Sequence, residues 1–174
     1  MRITVLRLGH RPARDKRLST HLLLAARAFG AGDALYCGTE DHGLEESVTK
    51  IVRDWGGGFT VAYAPSWRKA LSGWGGRIAH LTMYGLPAQD AVAEIKTVGE
   101  PLMVVVGGPK VPREVYDLTD WNVSVTGQPH SEVSALAVFL HMLLEGSELG
   151  HEFPGARLRV VPSSRGKDVA VSKD

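Results

Sequence analysis

Short apolar runs alternate along this chain with segments whose apolar residues recur at helical spacing. The apolar runs predict strands over residues 3–8, 34–37, 59–63, 78–83, 102–106 and 123–125. The intervening segments predict helices over residues 21–29, 40–55, 65–71, 87–97, 112–118 and 131–145. Strand and helix alternate about six times, which predicts an α/β fold with a mostly parallel sheet and helices on both faces.

The two ends of the chain depart from this alternation. The polar stretch 9–17 predicts a loop, and Ser19 or Thr20 is then the expected N-cap of the first helix. Residues 157–161 and 169–171 flank a polar turn and predict a β-hairpin. We therefore divide the chain into a main domain, residues 1–150, and a C-terminal hairpin extension, residues 151–174.

Glycines follow the fifth and sixth predicted strands, and this is where we expect a ligand. Gly107 and Gly108 come directly after one strand and Gly127 after the next. Open α/β proteins bind ligands at such strand ends, although paired glycines are also common in simple tight turns. No G-x-G-x-x-G follows the first strand and no G-x-x-x-x-G-K-[ST] occurs, which argues against standard dinucleotide and P-loop sites.

Composition narrows the class of protein further. The 174 residues are 44% hydrophobic and 22% charged, as in one globular domain with a sizeable core. A single cysteine and seven scattered histidines predict no disulfide and no metal site. Neither a signal peptide nor an apolar run long enough to span a bilayer is present, so we expect a cytoplasmic protein without membrane contact.

Charge is segregated along the chain although the net charge is only +1. Residues 1–20 hold six basic and one acidic side chain, and residues 155–174 hold five basic and two acidic side chains. The 134 residues between them hold nine basic and sixteen acidic side chains. Basic ends on an acidic body are consistent with a localised anionic partner, or with basic termini that are merely solvated.

Several motifs together resemble one family. They are Leu6–Pro12, Arg14–Arg17, His80–Gly85, Gly107–Arg113 and Gln128–Val133. In this order they resemble the archaeal tRNA cytidine 2'-O-methyltransferases of the SPOUT superfamily, and the likeness covers essentially the whole chain. Membership implies S-adenosylmethionine-dependent 2'-O-methylation of the ribose of cytidine 56 in the TΨC loop of tRNA.

The resemblance also implies a fold, a cofactor site and an assembly. The C-terminal part of the sheet is expected to form a deep trefoil knot that holds S-adenosyl-L-methionine. Two chains are expected to pair as a homodimer through knot helices, and the apolar helix 133–144 offers a suitable face. The residues that match the family's donor site are Leu81, Gly107, Gly108, Pro109, Lys110, Val111, Thr126, Gly127, Gln128, Pro129, His130, Ser131, Glu132 and Val133. Ser131 is also the expected N-cap of its helix, and His130 and Glu132 have ordinary structural interpretations.

Methyl transfer to a ribose hydroxyl needs alignment of the two substrates and stabilisation of the charge that develops on oxygen. In related enzymes an arginine near the first motif has this task, and the nearest positions here are Arg17, Arg14 and Arg11, with Arg17 first. Arginine remains protonated in proteins, so electrostatic stabilisation is favoured over proton abstraction. No metal is required.

The basic ends then gain a role in RNA binding. We expect the tRNA phosphates to contact Arg11, Arg14, Lys16, Arg17, Arg157, Arg159, Arg165 and Lys167, which makes binding fall steeply with salt. Trp55, Trp67, Trp74 and Trp121 could stack on bases, but isolated tryptophans near helix ends are more often core anchors.

Three alternatives stay open at this point. The first is ribose methylation of another RNA nucleotide. The second is a non-catalytic RNA-binding protein that keeps the knot as a scaffold, against which the intact loop 128–132 argues. The third is a nucleotide hydrolase, which the missing phosphate loop and metal-binding carboxylates disfavour.

Overall fold

The structure, a computed structural model, describes residues 1–108 and 110–172. The strands of the main sheet are β1 Ile3–His10, β2 Asp33–Gly38, β3 Thr60–Tyr63, β4 Arg77–Pro87, β5 Leu102–Val106 and β6 Trp121–Ser124. The helices are α1 Pro12–Ala28, α2 His42–Trp55, α3 Trp67–Ser72, α4 Ala88–Val98, α5 Arg113–Leu118 and α6 Glu132–Leu144. A 3-10 turn at Ser147–Gly150 leads to a hairpin of β7 Leu158–Val161 and β8 Asp168–Val171.

The six strands form one parallel sheet in the order β3-β2-β1-β5-β4-β6. Every residue of β5 is buried, because this strand lies inside the sheet and is covered on both faces. Helices contribute to hydrophobic clusters on both faces. One cluster takes Leu23 from α1 and Phe139 from α6, and the other takes Leu71 from α3 and Val115 from α5. The predicted parallel sheet with helices on both faces is confirmed.

The predicted loop over residues 9–17 is wrong, because α1 begins at Pro12. Proline suits the first helical position, since its φ is already helical and its missing amide hydrogen has no partner there. Arg11 and Asp15 then form an i,i+4 ion pair across the first turn. Ser19 and Thr20 consequently lie inside the helix and do not cap it.

The predicted hairpin is confirmed and forms its own antiparallel sheet. An isolated pair of strands has little stability, so its attachment matters. Arg157, just before β7, forms an ion pair with Asp54 of α2 at 2.9 Å. The buried Arg27 of α1 donates to the carbonyls of Trp55 and Gly56, and its guanidinium lies 4.2 Å from the ring centre of Phe153. The knot and the division at residue 150 stay predictions.

Among residues 1–108 and 110–172, no helix is both long enough and apolar enough to cross a membrane. The same residues contain no group of three or more histidine, cysteine, aspartate or glutamate side chains arranged to hold a metal ion.

Candidate active site

Two cavities open side by side at the carboxyl end of the sheet. The first, of about 430 Å³, lies between the ends of β4 and β6, the loop after β5 and the start of α6. The second, of about 550 Å³, lies between the end of β1, the start of α1 and the loop after β5. Gly108, Val111 and Glu132 line both cavities and form a shared wall. Both volumes are in the range of small-molecule sites.

The first cavity exists because β4 separates from β6 near its end. Leu81 pairs with Val123, and Leu86 then pairs with the same residue, so residues 82–85 bulge out of the ladder. At the base of the bulge Gly85 crosses β6 so closely that a Cβ atom there would lie 2.4 Å from the carbonyl oxygen of Asn122. Sequence patterning predicted the end of this strand at Met83 and missed the bulge.

His80 is the most informative polar residue of the first cavity. Its side chain is fully buried, and the Asn122 Oδ1 atom lies 2.9 Å from its Nδ1. The amide nitrogen of Asn122 donates to the carbonyl of Tyr116, so its oxygen faces His80 and the imidazole proton lies on Nδ1. Burial lowers the pKa of His80 and keeps it neutral. Its Nε2 is therefore a hydrogen-bond acceptor, and within residues 1–108 and 110–172 it has no partner.

The loop before α6 forms another wall. Ser131 Oγ accepts from the amide of Val133 at 3.2 Å, as the predicted N-cap. His130 Nδ1 lies 3.1 Å from Ser134 Oγ, which gives its ring a structural role in fixing the loop. Glu132 follows in the first turn of α6, where the helix dipole favours a negative charge.

The structure gathers most of the predicted donor-site residues around the first cavity. Those that line it are Leu81, Gly107, Gly108, Val111, Gln128, Pro129, His130, Ser131 and Glu132. Lys110 lines the second cavity instead, and Pro109 lies outside the described residues. Within the part of the chain that the structure describes, neither cavity is lined by Thr126, Gly127 or Val133. Residues that sequence reasoning missed are His80, Thr82, Met83, Tyr84, Val106, Tyr116, Val123, Val125 and Ala135.

The second cavity carries most of the cations near the site. Arg11, Arg14 and Lys110 line it together with Asp15. Arg11 Nε donates to Asp15 Oδ2 at 2.9 Å, and this hydrogen bond is the main reason that the pKa of Asp15 is lowered. The carboxylate therefore stays ionised and holds the Arg11 side chain at the cavity.

Arg17, the residue ranked first for stabilising charge on the reacting hydroxyl oxygen, lies away from both cavities. It is exposed on α1 and is on neither cavity lining among the described residues, and the same is true of Lys16. On the hairpin, Arg159, Arg165 and Lys167 are exposed, whereas Arg157 is engaged with Asp54.

Arg7 is the functional candidate that sequence reasoning missed, because an arginine inside a predicted strand reads as an interruption of an apolar run. Its side chain is only 2% exposed, yet it lines the second cavity. Nη1 lies 4.0 Å from Glu132 Oε1, beyond hydrogen-bond distance. Nε and Nη1 have no hydrogen-bond partner in the part of the chain that the structure describes. Burial lowers the pKa of Arg7, and the charge of Glu132 partly offsets this.

A buried polar network supports the wall beside Arg7. His10 Nδ1 lies 2.8 Å from Ser19 Oγ, and its Nε2 lies 3.2 Å from Asp41 Oδ2. Gly38, the last residue of β2, lies against the backbone of His10 with φ +121°. A Cβ atom at Gly38 would lie 2.3 Å from the His10 carbonyl oxygen. Only glycine allows this approach, so β1 and β2 are held together where the second cavity begins.

Solved structures with a similar arrangement include RNA methyltransferases. A crystal structure of an RNA 2'-O ribose methyltransferase superposes with a TM-score of 0.63 at 16% identity, over 83% of this chain and 56% of that one. The SpoU methyltransferase AviRb from Streptomyces viridochromogenes, in complex with the cofactor AdoMet, superposes with a TM-score of 0.59 at 15% identity, over 86% of this chain and 58% of that one. The chain thus spans little more than half the length of these structures. At such identities the likeness concerns the fold, which is that of the SPOUT methyltransferases.

Sequence comparison identifies the family. The family described as "tRNA ribose 2'-O-methyltransferase, aTrm56" matches residues 55–170, and the chain belongs to it. The tRNA (cytidine(56)-2'-O)-methyltransferase of Methanothermobacter thermautotrophicus is 54% identical over 96% of this chain and 95% of its own length. Its namesake from Thermococcus kodakarensis is also 54% identical, over 96% of each chain. The predicted family resemblance is confirmed.

Proposed function

We propose that this protein transfers a methyl group from S-adenosyl-L-methionine to the ribose 2'-oxygen of cytidine 56 in the TΨC loop of tRNA. Family membership at 54% identity over nearly the whole chain carries the proposal. The geometry supports it, because a two-substrate transfer needs adjoining sites and the two cavities share the wall made by Gly108, Val111 and Glu132.

The first cavity fits the methyl donor. Its apolar walls, with Val106, Val123 and Val125, suit a flat purine, and the glycines of the loop after β5 leave the backbone accessible. The unpartnered acceptor of His80 calls for a ligand with an N–H donor, which the exocyclic amine of adenine supplies. When bound, the donor supplies an electrophilic methyl on a sulfonium, and no metal is needed.

The second cavity is then the site of the target nucleoside. A ribose held there lies next to the donor, where the two cavities meet at Gly108, Val111 and Glu132. Arg11 and Arg14 are the predicted catalytic residues that line this cavity, and their charges stabilise the negative charge that develops on the 2'-oxygen. Arg17 and Lys16 are exposed on the same helix and suit contacts to phosphates further along the RNA.

The basic hairpin residues extend the proposed RNA surface. Arg159, Arg165 and Lys167 are exposed and have the charge that phosphate contacts require. Arg157 has the additional task of attaching the hairpin to α2 through Asp54. Because tRNA is the proposed substrate, we also propose that the protein acts in the cytoplasm.

A homodimer through the helices of the proposed trefoil knot is part of the same proposal. The apolar face of α6 is largely used inside the chain, where Leu136, Phe139 and Leu140 are buried. Val138 is 43% exposed on that helix, Tyr84 is exposed on the bulge of β4, and Leu86 is exposed directly after the bulge. We expect light scattering to give twice the chain mass of 18.8 kDa, and a monomeric mass at micromolar concentration would contradict the dimer.

Methyl transfer to defined transcripts tests the function. We expect label from S-adenosyl-[methyl-³H]methionine on an unmodified tRNA transcript, and none on a matched transcript whose residue 56 carries a 2'-deoxyribose. Equal labelling of both would move the reaction to another nucleotide. Donor binding without any labelling would favour the non-catalytic RNA-binding alternative, and absence of donor binding would contradict the methyltransferase proposal.

A further inference from the structure

Arg7 is a buried cation whose nearest carboxylate lies at the limit of ion-pair distance. It lies in the carboxyl half of β1, with its side chain 2% exposed, on the lining of the second cavity. The nearest carboxylate oxygen is Glu132 Oε1, 4.0 Å from Nη1. Nε and Nη1 lack a hydrogen-bond partner among residues 1–108 and 110–172. Burying a guanidinium in this state costs free energy unless a ligand accepts hydrogen bonds from it.

The immediate surroundings of Arg7 differ from the rest of the cavity. Arg11, Arg14 and Lys110 also line this cavity and suit the phosphates and ribose of the substrate, whereas the carboxylate of Glu132 lies beside Arg7 itself. A phosphate bound at Arg7 would meet the negative charge of Glu132 at close range, whereas an N–H group of a neutral heterocycle can donate to it. Trp67, Leu18 and Pro112 also line the cavity and provide apolar surface for a flat ring.

A guanidinium carries pairs of parallel N–H donors, and at Arg7 the acceptor Glu132 lies beside it, 4.0 Å from Nη1. A pair of donors next to an acceptor is the pattern of the Watson–Crick edge of guanine, whose complement is cytosine. Cytosine offers the acceptors O2 and N3 to a guanidinium and the N4 amine to a carboxylate. Uracil fails at two positions, because its N3–H points a hydrogen at the guanidinium and its O4 faces the carboxylate.

We propose that Arg7 and Glu132 recognise the target base as cytosine by reproducing the hydrogen-bonding edge of guanine. The proposal rests on the proposed function, and it assigns base specificity to a pair of side chains at the wall shared by the two cavities. Arg7 is thereby a specificity-determining residue, distinct from Arg11 and Arg14, which act on the ribose oxygen. An enzyme that reads a base must expose its edge, so the target nucleotide enters the cavity unpaired.

The test compares tRNA transcripts with cytidine or uridine at position 56, using kcat/KM for transfer of labelled methyl groups. The unaltered protein is expected to prefer C56 by about 10- to 100-fold, the discrimination of a two-donor contact. Arg7→Lys keeps the charge but loses the planar pair of donors. It is expected to lower kcat/KM on C56 by about 10-fold or more while leaving the low value on U56 unchanged within about 2-fold. The same transcripts serve every variant, so differences in RNA folding cancel in the comparison.

Arg2→Lys is the matched control, since Arg2 is exposed at the opposite end of β1 and pairs with Asp33. It is expected to keep both rates and their ratio. Glu132→Gln is the second variant, because its amide can donate to O4 of uracil and is expected to raise the U56 to C56 ratio. S-adenosylhomocysteine titration of each variant checks that the donor cavity is intact.

Two results would overturn the proposal. Equal loss on C56 and U56 in Arg7→Lys would mean that Arg7 acts on the ribose or on a phosphate that both substrates share. Equal rates of the unaltered protein on both transcripts would mean that the base is not read in this cavity, while the proposed function stands. Failure to label C56 at all, with donor bound, contradicts the proposed function instead.

Discussion

Gly85→Ala is expected to lower the affinity for S-adenosylhomocysteine by on the order of 10-fold or more, because it displaces two walls of the donor cavity together. The added Cβ would lie 2.4 Å from the Asn122 carbonyl oxygen and 2.5 Å from the Val123 amide nitrogen, both backbone atoms that cannot rotate away. β4 and β6 must therefore separate where Tyr84 and Val123 line the cavity. Such overpacking also costs about 1–3 kcal/mol of unfolding free energy.

Isothermal titration measures the affinity, and thermal unfolding shows whether the variant is folded at the titration temperature. Gly75→Ala is the control, since a Cβ at that position meets no atom within 4 Å and its φ is not in the left-handed region. Its affinity should equal that of the unaltered protein. Unchanged affinity in Gly85→Ala would mean that the bulge of β4 does not shape the donor site.

Phe139→Ala should be the most destabilising single truncation among the helices. Phe139 is fully buried in the core cluster that joins α6 to the sheet and α1. Removing its ring loses the transfer free energy of a phenyl group and leaves a cavity, together about 3–5 kcal/mol. For a chain of this size that lowers the melting temperature by roughly 6–20 °C.

Chemical denaturation at equilibrium measures the loss, with Val138→Ala as the neighbour for comparison. Val138 is 43% exposed within one chain, and its truncation should cost below about 1 kcal/mol in a monomer. If Val138→Ala proved as costly as Phe139→Ala at high protein concentration only, the difference would measure burial of this helix face in the proposed homodimer.

Local pattern predicted the elements well but not how they are arranged. The run Leu102–Val106 was predicted with the observed bounds, because a strand covered on both faces is apolar at every position. The polar segment before Ser19 was predicted as a loop, since its charges masked a helix that begins at Pro12 and is supported by the pair of Arg11 and Asp15. Strand order depends on contacts between residues far apart in the sequence, and the spacing of apolar residues within one segment does not indicate them.

The candidate site was predicted mainly where it is made of loops, and of its strand residues Leu81 alone was predicted. The glycine loop after β5 and the segment 128–132 indicated the first cavity, which we propose to hold the donor. Arg7 and His80 were missed because each lies within a strand, where a polar residue among apolar ones gives no periodic signal. The roles proposed for them rest on buried polar atoms that have no hydrogen-bond partner among the described residues, a feature that only the three-dimensional structure reveals.

The strand order also bears on how the chain is built. β1 pairs with β2 on one side and with β5 on the other, so Ile3 is joined to Leu102 across the middle of the sheet. Pairings over such separations close large loops and slow folding. The unit β1-α1-β2-α2-β3 can assemble as soon as it leaves the ribosome, but one edge of β1 then stays open until β5 arrives. During that interval we expect the nascent chain to carry an exposed apolar strand edge, the feature that favours mispairing and aggregation of incompletely folded chains.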